Sequence, residues 1–416
     1  MSAPGSVAVQ SREMTARDVT AQRWLWAMLA LYLVAVLVAT VQRGVLGIEN
    51  NFAIFRWSFF HLVQGVDLYA PAPGQFDDLF KYSPTFALLF GPFAPWPFAV
   101  GLTLWNALNA VGIWYAVTRL LPPRQAAWAL GLSFIEVLTT VQRAQSNALC
   151  AACIILAFVW LRRGWQGRAS AAIAIGAFVK VFPLAALAFA LWERRLARFA
   201  AIFAGVFVLF AAAPLLVTSP PRLVAQYESW RAIERHDAGQ LVNECIHCPQ
   251  KRYDGGGLYA GVMQQIRIWT GWPLPNWPVQ LAGTLLLLLP LVVRWRDRDD
   301  ETFRRGFLCS LLVYVVIFNH QSESPSFVIA MLGIAIWWAT SNRAPWRTAI
   351  LALTIFMVSV GYSDAMPEWA RQELFTRYRL KTVPCVIAWV VMQLELLEWI
   401  PATPLHPVAE SGSVNG

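Results

Sequence analysis

The stretch WLWAMLALYLVAVLVATV at residues 24–41 decides the fold class, because it runs from Trp24 to Val41 without one charged side chain. A helix that crosses a bilayer takes roughly 20 apolar residues, so this run predicts a membrane span. A cleaved signal peptide is the alternative, and it needs a small-residue cleavage site after the apolar run. The tail at residues 35–39 offers no A-x-A site. We therefore predict an uncleaved anchor.

The composition extends this interpretation to the whole chain. Of its 416 residues, 57% are hydrophobic and only 14% are charged, against about 25% charged in a typical soluble domain. This composition excludes an ordinary soluble enzyme and a disordered chain. The 21 tryptophans suit a protein with many membrane–water boundaries. The net charge of +9 comes mostly from arginines clustered between apolar runs, which indicates membrane orientation and no nucleic-acid partner.

The remaining apolar runs predict an all-α, polytopic membrane bundle of about 10–12 membrane helices, counted from helix-length runs of hydropathy. Two pieces are short or broken: residues 84–97, which contain four prolines, and the run at 169–191, which Lys180 and Pro183 interrupt. We treat the second piece as a hairpin that enters the membrane and returns. The other runs lie at 98–119, 126–141, 147–161, 198–217, 275–294, 306–318, 325–340, 346–362 and 383–400.

The arginine clusters predict the orientation. With the N-terminus inside, most clusters fall in inner loops, as the positive-inside rule requires. This assigns residues 1–23 and 401–416 to cytoplasmic tails and residues 24–400 to one domain in the inner (plasma) membrane. Two long loops, 42–83 and 218–274, then lie outside. The outer segment at 363–382 is the exception, because it carries Arg371, Arg377, Arg379 and Lys381.

Polar residues concentrate on the predicted outer side. Asn51 is a plausible N-cap and Gly65 a plausible stop for an interfacial helix. Pro84 suits a first helical turn, and a helix start beside Lys81 is suited to holding a phosphate. The alternative for the helix is a lid that merely covers the bundle.

Four ionisable residues stand in or beside apolar runs. Lys180 lies at about mid-hairpin, where charge is costly and usually functional, unless it snorkels to an interface. His320 and Glu323 are spaced to share a helix face, or they belong to a plain solvated turn. Glu136 either faces the same cavity or pairs with Arg143.

The long second loop contains the pattern Cys245-Ile246-His247-Cys248. A second pair of ligands is missing, so a metal site is disfavoured, and we expect no metal and no cofactor. A disulfide or free thiols remain open. The aromatic and acidic residues of this loop either bind a carbohydrate acceptor or form a structural cover.

The order of these motifs over residues 45–220 resembles glycosyltransferase family 87, whose members belong to the GT-C superfamily of membrane enzymes. The resemblance rests on Gly65 and Tyr69 after a short helix and on Tyr82-Ser83-Pro84. It also rests on the turn at 144–147, similar to Gly-Gln-x-Asn, and on the lysine–proline element at 179–183. One departure is important. The acidic residue of the family, its presumed catalytic base, falls on Asn51, and an amide cannot accept a proton in that role.

The resemblance implies a hexosyltransferase, with mannose as one candidate sugar. The donor would be a polyprenol-phosphate-linked sugar, and the acceptor a lipid or glycan at the outer face of the membrane. The catalytic candidates are Glu49, Asn51 and Asp78. The substrate-binding candidates are Arg56, Lys81, Tyr82, Arg143, Gln145, Asn147, Lys180, His320 and Glu323. Two other functions remain open: a transporter or flippase of lipid-linked sugars, and a non-catalytic relative that only binds them.

Overall fold

The computed structural model describes residues 16–47, 49–247 and 259–401, without the side chains of residues 16–18 and 237–247. The proposed disulfide between Cys245 and Cys248 lies outside these described side chains. The described residues form helices joined by turns, with no strand. The α-helices are α1 Ala16–Thr40, α2 Asn50–Gln64, α3 Pro84–Leu89, α4 Phe98–Leu120, α5 Pro123–Leu132, α6 Phe134–Gln142, α7 Asn147–Arg162, α8 Gln166–Val179, α9 Leu196–Ala212, α10 Pro220–His247, α11 Val262–Thr270, α12 Asn276–Val293, α13 Glu301–Ile317, α14 Phe327–Ala339, α15 Pro345–Thr354 and α16 Thr382–Leu396.

The helices confirm the predicted all-α polytopic membrane fold. Within the described ranges, four helices are long and apolar enough to cross a membrane. Shorter apolar helices fill the bundle between them. The four long spans are Val19–Val45, Phe98–Leu120, Leu196–Leu216 and Asn276–Val293.

The core of the bundle lies around α14, in which every residue is buried. A helix that is apolar on all sides is stable only when protein or lipid surrounds it completely. Gly333 brings α14 against α13, since a Cβ at this position would lie 2.8 Å from the Cys309 carbonyl oxygen. By contrast, Phe199 is the one fully buried residue of α9, and the helix leaves Val208 and Leu209 exposed. The centre of the bundle is thus protein-packed, and α9 faces the surroundings.

The predicted hairpin is present, and Lys180 lies at its tip. Helix α8 ends at Val179, and a 3₁₀ helix at Phe182–Trp192 then returns along α7. At the tip, the Lys180 ammonium reaches the Asn147 amide, which begins α7. The far end of the 3₁₀ helix lies beside the end of α7, where the Phe158 and Phe189 ring centroids are 5.2 Å apart. We call these two ends of the bundle the Lys180 end and the Trp192 end.

Two local predictions need correction. The apolar run at 126–141 is two helices, α5 and α6, which meet at Ser133. The Tyr32 hydroxyl donates a hydrogen bond of 2.8 Å to the Leu130 carbonyl oxygen near this break. The predicted N-cap at Asn51 is also wrong, because α2 begins at Asn50 with Glu49 at the N-cap position. The predicted stop is confirmed, since Gly65 adopts a left-handed conformation with φ of 72°.

The tip of the hairpin depends on Gly176. A Cβ there would lie 2.8 Å from the Pro183 Cβ, whereas nothing lies within 4 Å of a Cβ at Gly205 in α9. We predict that Gly176→Val lowers the free energy of unfolding by about 1–3 kcal/mol, the usual cost of overpacking. Thermal unfolding in detergent measures this effect, with Gly205→Val as the matched control. Equal unfolding temperatures for the two variants would contradict the proposed packing.

Candidate active site

A cavity of about 710 Å³ opens at the Lys180 end of the bundle. Helices α2, α8, α10 and α13 contribute to its wall, together with the segment before α3 and the turn after α13. The predicted site residues that line it are Asn51, Asp78, Lys81, Tyr82, Gln145, Lys180, His320 and Glu323.

Gln145 is the hub of one polar wall. Its Oε1 accepts a hydrogen bond of 3.3 Å from Lys180 Nζ and one of 3.4 Å from the Tyr82 hydroxyl. Its Nε2 donates to Glu323 Oε2 at 3.4 Å. Lys180 Nζ also donates to Asn147 Oδ1 at 2.9 Å. One amide therefore connects a cation, a phenol and a carboxylate that come from three other parts of the chain.

The backbone before α7 adopts a conformation that points Gln145 to this wall. Ala144 has φ of 48°, in the left-handed region that glycine adopts most readily. Polar side chains of α4 donate hydrogen bonds to carbonyl groups of this turn. Trp105 Nε1 donates to the Ala144 oxygen at 2.7 Å, and Asn106 Nδ2 donates to the Val141 oxygen at 2.9 Å.

The sequence analysis missed these supporting residues. Asn106 and Asn109 are completely buried, and Asn109 Oδ1 accepts a hydrogen bond of 3.1 Å from the Leu149 backbone N–H. Two asparagines three positions apart in an apolar run were the available signal, because buried amides need partners. Tyr259 and Gln280 also line the cavity without having been predicted. Gln280 Nε2 lies 3.3 Å from His320 Nδ1.

Asn51 lies in another part of the cavity wall and is held by the same turn. Its Nδ2 donates to the Arg143 carbonyl oxygen at 2.8 Å and lies 3.5 Å from Glu49 Oε1. Glu49 itself is only 6% exposed and is not part of the cavity lining. Burial raises the pKa of the Glu49 carboxyl, and the positive charges of Arg143 and Arg43 oppose that rise.

The Asp78–Lys81 segment reaches the cavity from the loop before α3. The Asn50 Oδ1 accepts a hydrogen bond of 3.0 Å from the Asp77 backbone N–H and so ties this segment to the start of α2. Pro84 occupies the first turn of α3, as predicted. The Phe86 N–H at the helix start is not available to a phosphate, however, because it donates a hydrogen bond of 3.1 Å to Ser83 Oγ. Any role of Lys81 towards a phosphate therefore depends on its ammonium group.

Some predicted residues lie away from the cavity. Arg56 Nε donates to the Ala94 carbonyl oxygen at 2.9 Å, and the Arg143 side chain is exposed. Asn147 is fully buried behind Lys180. His320 and Glu323 do not share a helix, because they belong to a turn that precedes a 3₁₀ segment at Ser324–Ser326.

Glu136 neither lines the cavity nor pairs with Arg143, which corrects both alternatives for it. Its Oε2 lies 3.0 Å from Lys381 Nζ. Within residues 16–47, 49–247 and 259–401, no cluster of His, Cys, Asp and Glu side chains is arranged to hold a metal ion.

The comparison with family models decides the classification. The model of glycosyltransferase family 87 matches residues 80–318, more than half of the chain. The chain belongs to glycosyltransferase family 87. Lys81, Tyr82, Gln145, Asn147 and Lys180 fall within the matched residues of this family-87 protein. No curated protein matches the chain.

Family membership makes the chain a membrane glycosyltransferase. The family match begins at residue 80, so it does not cover Glu49, Asn51 or Asp78. His320 and Glu323 lie just beyond its end. Tyr82, Gln145, Asn147 and Lys180 of the polar wall are therefore matched residues, whereas its carboxylate, Glu323, and the carboxylate of Asp78 come from unmatched parts of the chain.

The raised pKa of Glu49 gives a pH-dependent prediction. A carboxyl whose pKa is higher in the folded state favours folding at low pH, and this contribution is lost as the pH rises through the folded-state pKa. We predict that Glu49→Gln raises the unfolding temperature relative to the native chain more at pH 7 than at pH 4. Unfolding in detergent at both pH values measures this difference. An identical difference at the two pH values would mean that Glu49 is solvated.

Proposed function

We propose that this family-87 protein transfers a hexose, with mannose as the first candidate, from a polyprenol-phosphate sugar to a lipid or glycan acceptor. The observation that carries the proposal is the polar wall formed by Gln145, Lys180, Asn147, Tyr82 and Glu323, which we call the Lys180 wall. A lysine held by Gln145 and Asn147 faces a cavity that is lined in part by apolar side chains. A lipid-linked sugar phosphate has the same division into an anionic group and an apolar chain.

The wall beside Lys180 supports a lipid-linked donor. The 3₁₀ helix that follows the hairpin tip adds Phe182, Leu184 and Ala185 to the cavity lining, and α13 adds Val315. An isoprenoid chain along these apolar side chains would place its phosphate at the Lys180 ammonium. A cation at this position stabilises the negative charge that develops on the leaving phosphate.

The reaction also needs a base for the acceptor hydroxyl. The base takes the hydroxyl proton as the acceptor oxygen forms its bond to the sugar C1. The bond between C1 and the phosphate oxygen breaks, and polyprenol phosphate leaves with the electron pair. In a direct displacement the acceptor and the phosphate lie on opposite sides of C1, so the base belongs away from Lys180.

Asp78 fits the position of the base best. Glu323 is bonded to Gln145 and therefore belongs to the Lys180 wall. Glu49 is covered. Asp78 lines the cavity on the segment that the Asn50–Asp77 hydrogen bond joins to α2, the helix that carries Asn51. We propose that Asp78 replaces the carboxylate that the family has at the Asn51 position.

The charge distribution supports an outward-facing cavity. Arginine guanidinium groups lie over aromatic rings at the Trp192 end. The cytoplasmic leaflet of a membrane is anionic and attracts such positive charges. We propose that this end faces the cytoplasm with both chain termini, and that the protein resides in the inner membrane. The pairs are Arg119 with Tyr115, Arg162 with Phe158, Arg304 with Trp192, Arg298 with Trp295, and Arg343 with Trp338.

We predict that Lys180→Met lowers kcat/KM about 100- to 1000-fold, as loss of a charge-stabilising donor does elsewhere. The assay measures sugar transfer in vesicles from a radiolabelled polyprenol-phosphate mannose. Arg222→Met is the matched control, because this exposed arginine lies near Gly65 at the same end but does not line the cavity. Equal rates for both variants would remove the phosphate role of Lys180. Donor binding without transfer in the native chain would identify a non-catalytic relative.

The neighbouring pair Asp77 and Asp78 gives a sharp test of the base. We predict that Asp78→Asn lowers kcat about 100- to 10,000-fold, the usual contribution of a general base. Asp77→Asn removes the adjacent exposed carboxylate and should leave kcat near the native value, since Asp77 does not line the cavity. Adding Asn51→Asp to Asp78→Asn should restore part of the rate. Loss of activity in Asp77→Asn with retention in Asp78→Asn would assign the base elsewhere.

A further inference from the structure

A buried ion pair lies beside the cavity without forming part of its lining. Lys381 Nζ is 3.0 Å from Glu136 Oε2, and the side chains are 3% and 1% exposed. Ser359, from the π-helical segment at Ile355–Val360, donates to Glu136 Oε1 at 2.9 Å. Lys381 Nζ also donates to Ser324 Oγ at 2.9 Å. Each charged group is thus held by the other and by one serine hydroxyl.

The serine partner of Lys381 joins this pair to the cavity. Ser324 directly follows Glu323, whose carboxylate accepts from Gln145 in the Lys180 wall. A second bond holds the same turn, since Thr140 Oγ1 in α6 donates to the Pro325 carbonyl oxygen at 3.2 Å. We call residues 319–326, which include both His320 and Glu323, the His320 turn. Glu136 and Thr140 lie one helical turn apart on α6 and hold this turn from behind.

The charge of Lys381 is placed differently from that of its neighbours. Arg371 pairs with Asp364, and Arg377 pairs with Glu373 at the protein surface. Lys381 instead enters the bundle, where its backbone N–H donates to the Tyr362 hydroxyl at 3.2 Å. Burying two charges carries a desolvation cost that their attraction often only balances, so such a pair is a poor source of stability alone. The burial of the Glu136–Lys381 pair is better explained if the pair holds a neighbouring segment in position.

We propose that the Glu136–Lys381 pair positions the His320 turn, so that Glu323 and His320 stay at the cavity wall. The proposal rests on the function proposed above, because it assigns the pair to the placement of substrate-binding groups. Neither residue touches the cavity, so both act through Ser324 as positioning residues. The segment that ends at Lys381 thereby connects α16 to the wall that binds the donor.

The test replaces both charges at once. In Glu136→Gln/Lys381→Met the shapes are similar and no unpaired charge remains, a change that buried pairs often tolerate. We expect the variant to fold and its KM for polyprenol-phosphate mannose to rise, lowering kcat/KM up to about 100-fold, because small misplacements of binding groups are costly. Ser324→Ala, which removes only the connecting hydroxyl, should change kcat/KM in the same direction.

The Trp192 end provides a matched control. Arg347 Nη2 lies 2.6 Å from Glu395 Oε1, and this pair is also buried, with side chains that are 2% and 9% exposed. This pair lies at the opposite end from the cavity and has no contact with the His320 turn among the described contacts. Arg347→Met/Glu395→Gln should therefore lower the unfolding temperature about as much as Glu136→Gln/Lys381→Met does. Unlike that variant, it should leave KM for the donor near the native value.

A second measurement does not depend on activity. Gln321 lies in the His320 turn and is half-buried, and the four described cysteines are buried. With Cys245 and Cys248 changed to serine, Gln321→Cys reports the mobility of the turn by its rate of reaction with a water-soluble maleimide. We expect this rate to rise at least several-fold with Glu136→Gln/Lys381→Met and to stay constant with the control pair.

The two measurements separate the failure of each proposal. If the native chain shows no transfer but labelling of Gln321→Cys still rises, the pair positions the turn and the proposed function fails. If transfer occurs and both double variants give the same KM and the same labelling rate, the pair has no positional role. That second result would overturn the inference and leave the proposed function intact.

Discussion

The break in the helix at Lys180 is the constraint on which the rest of the cavity depends. Backbone groups that leave a helix at membrane depth need partners in the protein or a polar cavity. The hairpin meets this requirement by ending at the same level as the start of α7, where Asn147 and Gln145 receive the lysine ammonium. Gly176 makes the close return of Pro183 possible. Lys180, a charged residue within an apolar run, is thus the group around which the polar wall forms.

The two ends of the bundle use buried ion pairs in different ways. At the Trp192 end, Arg347 and Glu395 join α15 to α16, and the Trp337 indole N–H donates to the same carboxylate at 2.7 Å. At the Lys180 end, Lys381 joins Glu136 to a turn that borders the cavity. Both pairs are buried, so their surroundings decide which of them bears on the chemistry.

In the proposed mechanism, Asn51 has a structural role and the general base is a different residue. Its hydrogen bond to the Arg143 carbonyl oxygen joins α2 to the turn that carries Gln145, a structural task that a carboxylate at this position would perform poorly. An ionised carboxylate accepts hydrogen bonds only, whereas the Asn51 amide donates one here. The nearby cavity wall still offers a carboxylate in Asp78. Structural support and proton transfer therefore fall on separate residues in the proposed mechanism.

The sequence alone determined the membrane class, the helical fold, the break at Lys180 and the succession of motifs, because hydropathy, proline and charge act locally. Tertiary structure decided the contacts between segments. Glu136 and Lys381 are 245 positions apart in the sequence, and no pattern near either residue indicates that the two form an ion pair. The same holds for Gln145 and Glu323, which only the folded bundle brings together. The basic segment near residue 381 is an exception to the charge rule in the predicted orientation, and in the fold Arg371, Arg377 and Lys381 of this segment pair with acids. Such pairings depend on how the helices pack against one another, which no local pattern encodes.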